Sequence, residues 1–561
     1  MPVMSRTAQW LTLSFACVGG VGALPERSPA QEARQETGGD CLISHRSGDN
    51  GTAFVDVTVI PMDRERLLTK RTVLVRGCRI QAIGHRDSLG VPAGYRRIPG
   101  GDDIFLLPGL VDAHTHLRYD GDLTLYLAGG VTTVRNMDGS PRHLAWKEQI
   151  RRGLFGPRVF TAGPTGAYHG VKTRAEVERA IDSLANAGYD FVKVFDPLPA
   201  DNYRWVLDAA KRANLPVAGH IPRALGAQSV LQLGRQATIE HAEQFVYHWF
   251  NDDPDRTRLD ELVKQVKAAG TAVTPTLEVI HSWVAVSDSP ASLLARPETR
   301  WLHPETFAYW HTFARGSSFE NRIIADFQQQ IVQEFARAAV PLMTGTDAYM
   351  AGLIGPWALR REMYRMYAAG LTRFQVLRAA TATPAAVLGH ETGIVAQGRW
   401  ADLLLVRGNP LWDLDALSRI QGVMLDGVWH DGEALAARLD SLASEYRAGN
   451  AFVAAALARR VGPAITEHRV RRAKGDSSRT DAGVIAYVGS ILRQWGRLDD
   501  AISVYDLAVE EDPRSASAHE GMARAFLAQG NVRDAIARLQ RALEIDPSRQ
   551  MARSLLAELA K

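Results

Sequence analysis

Between Phe54 and Leu107 apolar and polar positions alternate in short runs, FVDVTVIPM, RTVLVRGCRIQAIG and YRRIPGGDDIFLLPG, each broken by turn residues. A period of two marks strands with one buried face. Runs of the same character return at 393–411, GIVAQGRWADLLLVRGNPL, and again in IQGVMLDGVWHDG. Two distant β segments of matching character predict one small domain, a β-sandwich, built from both flanks (50–107 plus 391–435) of a central insertion. In that insertion, 108–390, β-like runs alternate with amphipathic helical stretches, the pattern of parallel β/α units. Eight runs qualify as strands: LLPGLVDAHTH, GVTTVRNM, RVFTAG, DFVKVFD, LPVAGHI, ATIEHAE, AVTPT and PLMTGTD. Eight such units predict an α/β fold closed as a (β/α)8 TIM barrel.

The C-terminal pattern is different. Residues 436–481 read as a polar-rich helical linker in which RRAKGDSSRTD is exposed. Beyond it, Gly496 and Gly530, Ala501 and Ala535, and Pro513 and Pro547 recur at a spacing of 34. With the paired helices DDAISVYDLAVEEDP and RDAIARLQRALEIDP, residues 482–561 resemble tetratricopeptide repeats. The resemblance implies an all-α array that presents a concave face to a protein partner or assists self-association into a homo-oligomer. It also leads to the expectation that the array stands apart from catalysis.

A chain of 561 residues exceeds what one core usually supports, so several domains are expected. The formal net charge of +3 is small for that length, and no Lys/Arg tract with interleaved aromatics offers a nucleic-acid groove. The leader MPVMSRTAQWLTLSFACVGGVGALPERSPAQ has an early Arg, an apolar stretch from Trp10 to Leu24 and a polar, Pro-containing tail. That stretch is shorter than the roughly 20 residues of a membrane span and reads as a signal peptide within residues 1–30. Export to the periplasm or medium is the expectation. Cys17 permits a lipoprotein-type signal, but Ser14-Phe15-Ala16 before it matches such a site poorly. No other stretch is long and apolar enough for a transmembrane span. After leader removal Cys41 and Cys78 remain, to pair in an exported protein or to stay as buried thiols in a cytosolic one.

The chemistry begins at PGLVDAHTHL. Side chains at i and i+2 of a strand share a face, so His114 and His116 project together from the end of a buried run and can meet one metal. Further candidates stand at the C-terminal ends of later strands, where such barrels carry chemistry: Lys193 in FVKVF, His220 ending LPVAGH, His241 in TIEH and Asp347 ending PLMTGTD. A lysine within an apolar strand is costly unless neutralised or paired, and carbamylation would turn it into an anionic oxygen ligand. Thr132 and Thr133 in GVTTVRNM read as packing below the site.

Taken in chain order, these six residues resemble the amidohydrolase superfamily, over residues 50 to 435. GVTTVRNM, LPVAGHIP, TIEHAE and GLTRFQVLRAATATPAAVLG are similar to the imidazolonepropionase-related branch that includes prolidase-type dipeptidases and amidases of N-acyl amino acids. The resemblance implies two divalent ions, zinc by ligand type. His114, His116 and Asp347 would hold one, His220 and His241 the other, and carboxylated Lys193 would bridge them. It implies hydrolysis of a small amide or dipeptide by metal-activated hydroxide, with Asp347 moving the proton. Tyr168 and His169, in GPTGAYHG, stand where related enzymes use a loop histidine near the scissile carbonyl. Arg223, after His220 and Pro222, is a candidate fork for a substrate carboxylate. Trp283, Trp301 and Trp310 form either a wall over the pocket or the core of helices outside the barrel. Two alternatives stand beside the dipeptide reading: hydrolysis of a cyclic amide, as in imidazolonepropionase with one metal and no bridging lysine, and a non-catalytic interaction protein.

Overall fold

The computed structural model describes residues 41–43, 50–312, 318–476 and 480–560; the leader of residues 1–30 lies outside them, as do linker residues 477–479. No described helix is long and apolar enough to cross a membrane. Cys41 and Cys78 form a disulfide, with Cα atoms 5.4 Å apart.

The N-terminal flank supplies β1 (Thr52–Val59), β2 (Leu68–Arg76), β3 (Arg79–His85), β4 (Arg96–Pro99) and β5 (Ile104–Pro108). Then come the central strands β6 (Leu110–Thr115), β7 (Val131–Asn136), β8 (Arg158–Thr161), β9 (Val192–Val194), β10 (Val217–Gly219), β11 (Thr238–Glu240) and β12 (Ala272–Thr274). The far flank adds β13 (Leu403–Arg407), β14 (Ile420–Leu425) and β15 (Val428–Asp431). The two flanks join where β13 pairs antiparallel with β5, Leu405 opposite Leu106. The expected β-sandwich is therefore one continuous mixed sheet, in the order β15-β14-β13-β5-β1-β2-β3 with β4 on β1. Its alternate apolar positions explain this: Phe54, Val57, Val73, Ile80, Leu403, Leu405 and Met424 from both flanks share one buried cluster.

The central region is TIM-barrel-like, with strands parallel throughout. β6-β7-β8 form one sheet and β9-β10-β11-β12 another, joined by an isolated bridge between Ala162 and Phe191. The eighth predicted strand, PLMTGTD, forms no ladder of its own, so the expected closed barrel appears as two sheets with bridges between them. Leu342 bridges to Val273 and Ala348 to Thr115, while the Ala113 N–H donates to the Thr344 carbonyl at 2.9 Å. The cause is local. Pro341 has no N–H to give, and Asp347 adopts a left-handed backbone with φ 53°, which turns the chain out of a strand path. Gly345 lets this segment press inward, because a Cβ there would lie 2.7 Å from the His114 Cβ. Gly109 does the same between β5 and β6: a Cβ would lie 2.2 Å from Thr132 Oγ1, so Thr132 does pack beneath the site.

C-terminal to the sheet, the long helix Gly432–Leu457 and helix Val461–Ala473 lead into helix pairs Ala482–Gln494 with Leu498–Glu511 and Ala516–Ala528 with Val532–Ile545, followed by Gln550–Leu559. Asp481 caps the first of these, accepting from the Val484 N–H at 3.0 Å. The array does not stand alone. Ala308 of helix Pro304–Thr312 is buried in one cluster with Phe452, Val484, Ile485 and Val488. Trp301 and Trp310 are buried beside Leu442 and Tyr446 of the long helix, and Trp301 Nε1 donates to the Leu439 carbonyl at 2.9 Å. They are core, not a lid.

Candidate metal centre

β6 ends with His114 fully buried and His116 partly open, and their Nε2 atoms converge on one oxygen. His116 Nε2 lies 3.0 Å and His114 Nε2 3.3 Å from Asp347 Oδ1. Ligand atoms of these three residues all fall within 4.8 Å of one another. The His114 Nε2 is buried without a hydrogen-bond partner among the described residues, so its contact with Asp347 lacks the alignment of a hydrogen bond. A buried nitrogen left bare beside a carboxylate and a second imidazole is a donor set that suits a divalent cation.

Two further imidazoles extend the group. The His241 ring lies 4.4 Å from that of His114 and 4.9 Å from that of His220, centroid to centroid. Burial, with the Lys193 and His241 charges next, holds His220 well below its ordinary pKa; burial and then His114 do the same to His241. Neutral rings keep a lone pair free for a metal. Burial pushes the Asp347 carboxyl up, but the His114 and His116 imidazoles against it outweigh this and hold the group well below the carboxylate range. His241 and Asp347 both have positive φ, 69° and 53°, a costly backbone for side chains and one that marks functional positions.

Lys193, on β9, is 2% exposed, and its Nζ makes no hydrogen bond or ion pair with the described residues. Burial lowers its ammonium to about 8, against the pull of Glu240 and Asp347. The neutral amine left when that proton is lost is the nucleophile that adds to carbon dioxide, releasing a second proton to give the carbamate.

The shell behind these groups was not legible in the sequence. Glu240 Oε2 lies 2.9 Å from His114 Nδ1, while its Oε1 accepts from Arg135 at 2.6 Å and from Thr238. Burial pushes Glu240 up, yet Arg135 and His114 keep it ionised, well below its ordinary value. Thr276 Oγ1 meets His241 Nδ1 at 2.7 Å. Each contact occupies Nδ1 and turns Nε2 to the cavity. Asp112 ties the eighth segment to β6, accepting from Thr346 Oγ1 at 2.6 Å and Tyr126 at 3.1 Å. Arg135 and Glu240 carried one signal, charges at inward positions of otherwise apolar strands, but their pairing depends on strands a hundred residues apart.

Three further sequence candidates lie around the centre. Tyr168 is fully buried and its hydroxyl donates to the Lys193 carbonyl; it braces β9 and does not face substrate, a correction to its expected role. Arg223 is 66% exposed at the rim, 3.6 Å from Asp196, and its N–H also bonds that carboxylate at 3.0 Å. At that length and exposure the pair is weak, and the guanidinium stays open to solvent at the rim as the candidate fork for a substrate carboxylate. His169 remains near the centre: its ring faces Phe195, which packs 4.6 Å from His220, and its buried Nε2 has no partner among the described residues.

The sequence profile described as "Amidohydrolase family" matches residues 105–430. The chain belongs to that family. A tetratricopeptide repeat profile matches residues 492–559. Among solved structures, this amidohydrolase is similar to bottromycin amidohydrolase, with 27% identity and a TM-score of 0.58 over 75% of this chain and 95% of that one. A Xaa-Pro dipeptidase with bound methionine shares the fold at 20% identity and TM-score 0.53, over 68% of this chain and 100% of its own. Molinate hydrolase does so at 18% and 0.53, over 69% and 96%. No match to a curated protein was found.

Proposed function

We propose that this amidohydrolase is an exported, two-metal enzyme that cleaves the amide bond of a dipeptide or N-acyl amino acid. The observation that carries the reading is the convergence of His114 and His116 from the end of β6, His241 from the end of β11 and Asp347 from the eighth segment, with His220 adjoining and Lys193 buried among the same charges. His114, His116 and Asp347 would hold one ion and His220 and His241 the second, with Lys193, once carboxylated, between them. Bound divalent ions supply acidity to a water and polarise the scissile carbonyl.

The chain's own residues account for the rest. Asp347 is ionised, so it can take the proton of the attacking water and pass it to the leaving nitrogen. Glu240 and Thr276 keep the His114 and His241 rings aimed while charge develops. His169, whose buried Nε2 has no partner among the described residues, is the candidate donor to the developing oxyanion. The likeness to bottromycin amidohydrolase supports an amide substrate, and the Cys41–Cys78 disulfide supports an oxidising compartment.

One observation favours a second reading. Among the described residues the tight triad of His114, His116 and Asp347 is enough for one ion, as in a cyclic-amide hydrolase of imidazolonepropionase type. Metal content per chain, by elemental analysis of the parent and Lys193→Ala purified without chelator, separates the two. Near two ions in the parent and a clear loss in the variant support the bridged centre; about one in both favours the mononuclear reading. Panels of dipeptides, N-acyl amino acids and lactams then define the substrate.

A further inference from the structure

Three residues beyond His116, the chain leaves the centre and leads to the repeats. The N–H groups of Arg118 and Tyr119 both donate to Asp122 Oδ2, at 2.7 and 2.8 Å. The Tyr119 ring stacks on His303, with centroids 3.6 Å apart and planes 10° from parallel. Its hydroxyl donates to Glu305 Oε2 at 2.7 Å. His303 is in turn held edge-on by Tyr446 of the long helix, at 5.3 Å.

Glu305 sits in the first turn of helix Pro304–Thr312 and reaches both ways. Its Oε1 faces the first turn of the first repeat helix, Ala482–Gln494: a Cβ placed on Gly483 would lie 3.4 Å from it. A carboxylate at a helix N-terminus is favourable, because the first N–H groups carry partial positive charge; Asp481, which caps the Val484 N–H, stands at the same turn. One turn along, Ala308 is buried against Val484, Ile485 and Val488. The loop that carries His116 thus rests on a helix whose other side is covered by the repeat array.

Accepting the metal-centre reading above, we propose that Glu305 is a positioning residue through which the first repeat helix holds the His116 loop, so that the state of the repeats is felt at the metal centre. It goes beyond the expectation that the array recruits a partner or assists self-association and stands apart from catalysis. Groups behind a ligand set its orientation, and their loss costs metal affinity about 10–100-fold in comparable sites. The charge and the hydrogen bond of Glu305 act on different neighbours, so they can be separated by substitution.

The test is zinc affinity by chelator competition on the full-length protein, with melting curves run beside it to confirm folding. Tyr119→Phe, which keeps the stack and removes the hydroxyl, and Glu305→Ala are each expected to weaken zinc about tenfold. Glu305→Gln still accepts from Tyr119 and should retain most of the parent's affinity. Gly483→Asp adds a further carboxylate beside Asp481 and against Glu305 from the repeat side, at an exposed position that touches no ligand, and is expected to weaken zinc about tenfold as well. Combined with Tyr119→Phe it should add little, because both act through one contact. Gly483→Ala is the control and should match the parent. A folded Gly483→Asp or Glu305→Ala with the parent's affinity overturns the inference alone. A parent chain that binds no zinc overturns the metal-centre reading, and the inference with it.

Discussion

The Nδ1 atom of His114 lies 2.9 Å from Oε2 of Glu240, with both side chains fully buried. That contact settles which nitrogen of His114 faces the cavity. Glu240 keeps its charge there because Arg135 neutralises it from the other side at 2.6 Å. Replacing Glu240 by Gln should preserve the fold and weaken metal binding about 10–100-fold, measured by chelator competition. Glu240→Ala leaves Arg135 buried and unpaired, and should cost a further 3–5 kcal/mol or about that in urea unfolding.

Tyr168 and His169 are neighbours with opposite expected behaviour. Tyr168→Phe removes a hydrogen bond to the Lys193 carbonyl, so about 0.5–1.5 kcal/mol of stability should go with turnover changing only a few-fold. His169→Ala should leave the melting temperature nearly unchanged and lower kcat by about 10²-fold, the scale of one oxyanion donor. Steady-state kinetics on both variants, with an amide substrate found in the panel, checks the assignment; equal losses would return Tyr168 to the site.

His390 is expected to contribute to acid sensitivity. Its ring packs edge-on against Trp400, at 4.2 Å, and burial with the Arg158 charge lowers its pKa from 6.5 to about 3. In the folded chain it stays neutral down to about that value, while in the unfolded chain it binds a proton below about pH 6.5. Between those limits the unfolded state holds more protons, so stability falls as pH falls, by up to about 1.4 kcal/mol per unit. Above pH 6.5 the effect is absent. Urea unfolding of His390→Gln between pH 4 and 6.5 should show a shallower slope; the slope should not vanish, since burial also lowers His281 and His430.

The Cys41–Cys78 disulfide closes a loop of 37 residues. Closing a loop of that size removes unfolded-chain entropy, and reduction is expected to cost about 2–4 kcal/mol. Thermal melts with and without reductant measure it directly, and Cys41→Ser with Cys78→Ser should reproduce the reduced value.

The sequence by itself determined most of the elements and the candidate ligands at their ends. Strand positions carrying His114, His116, Lys193, His220, His241 and Asp347 could be read because a strand's period of two and the C-terminal ends of parallel strands tie position to direction. The 34-residue period likewise marked the repeats, because each unit is a local helix pair that repeats its own contacts. Only the tertiary structure decided what depends on residues far apart in the chain. Glu240 meets His114 and Arg135 across three strands; Glu305 meets Tyr119 across nearly two hundred residues; β13 completes the sheet begun by β5 nearly three hundred residues earlier. Tyr168 shows the same limit from the other side, since a tyrosine in a loop reads alike whether its hydroxyl faces substrate or braces a strand. Such pairings are set by how whole elements pack, and no local period or spacing encodes them.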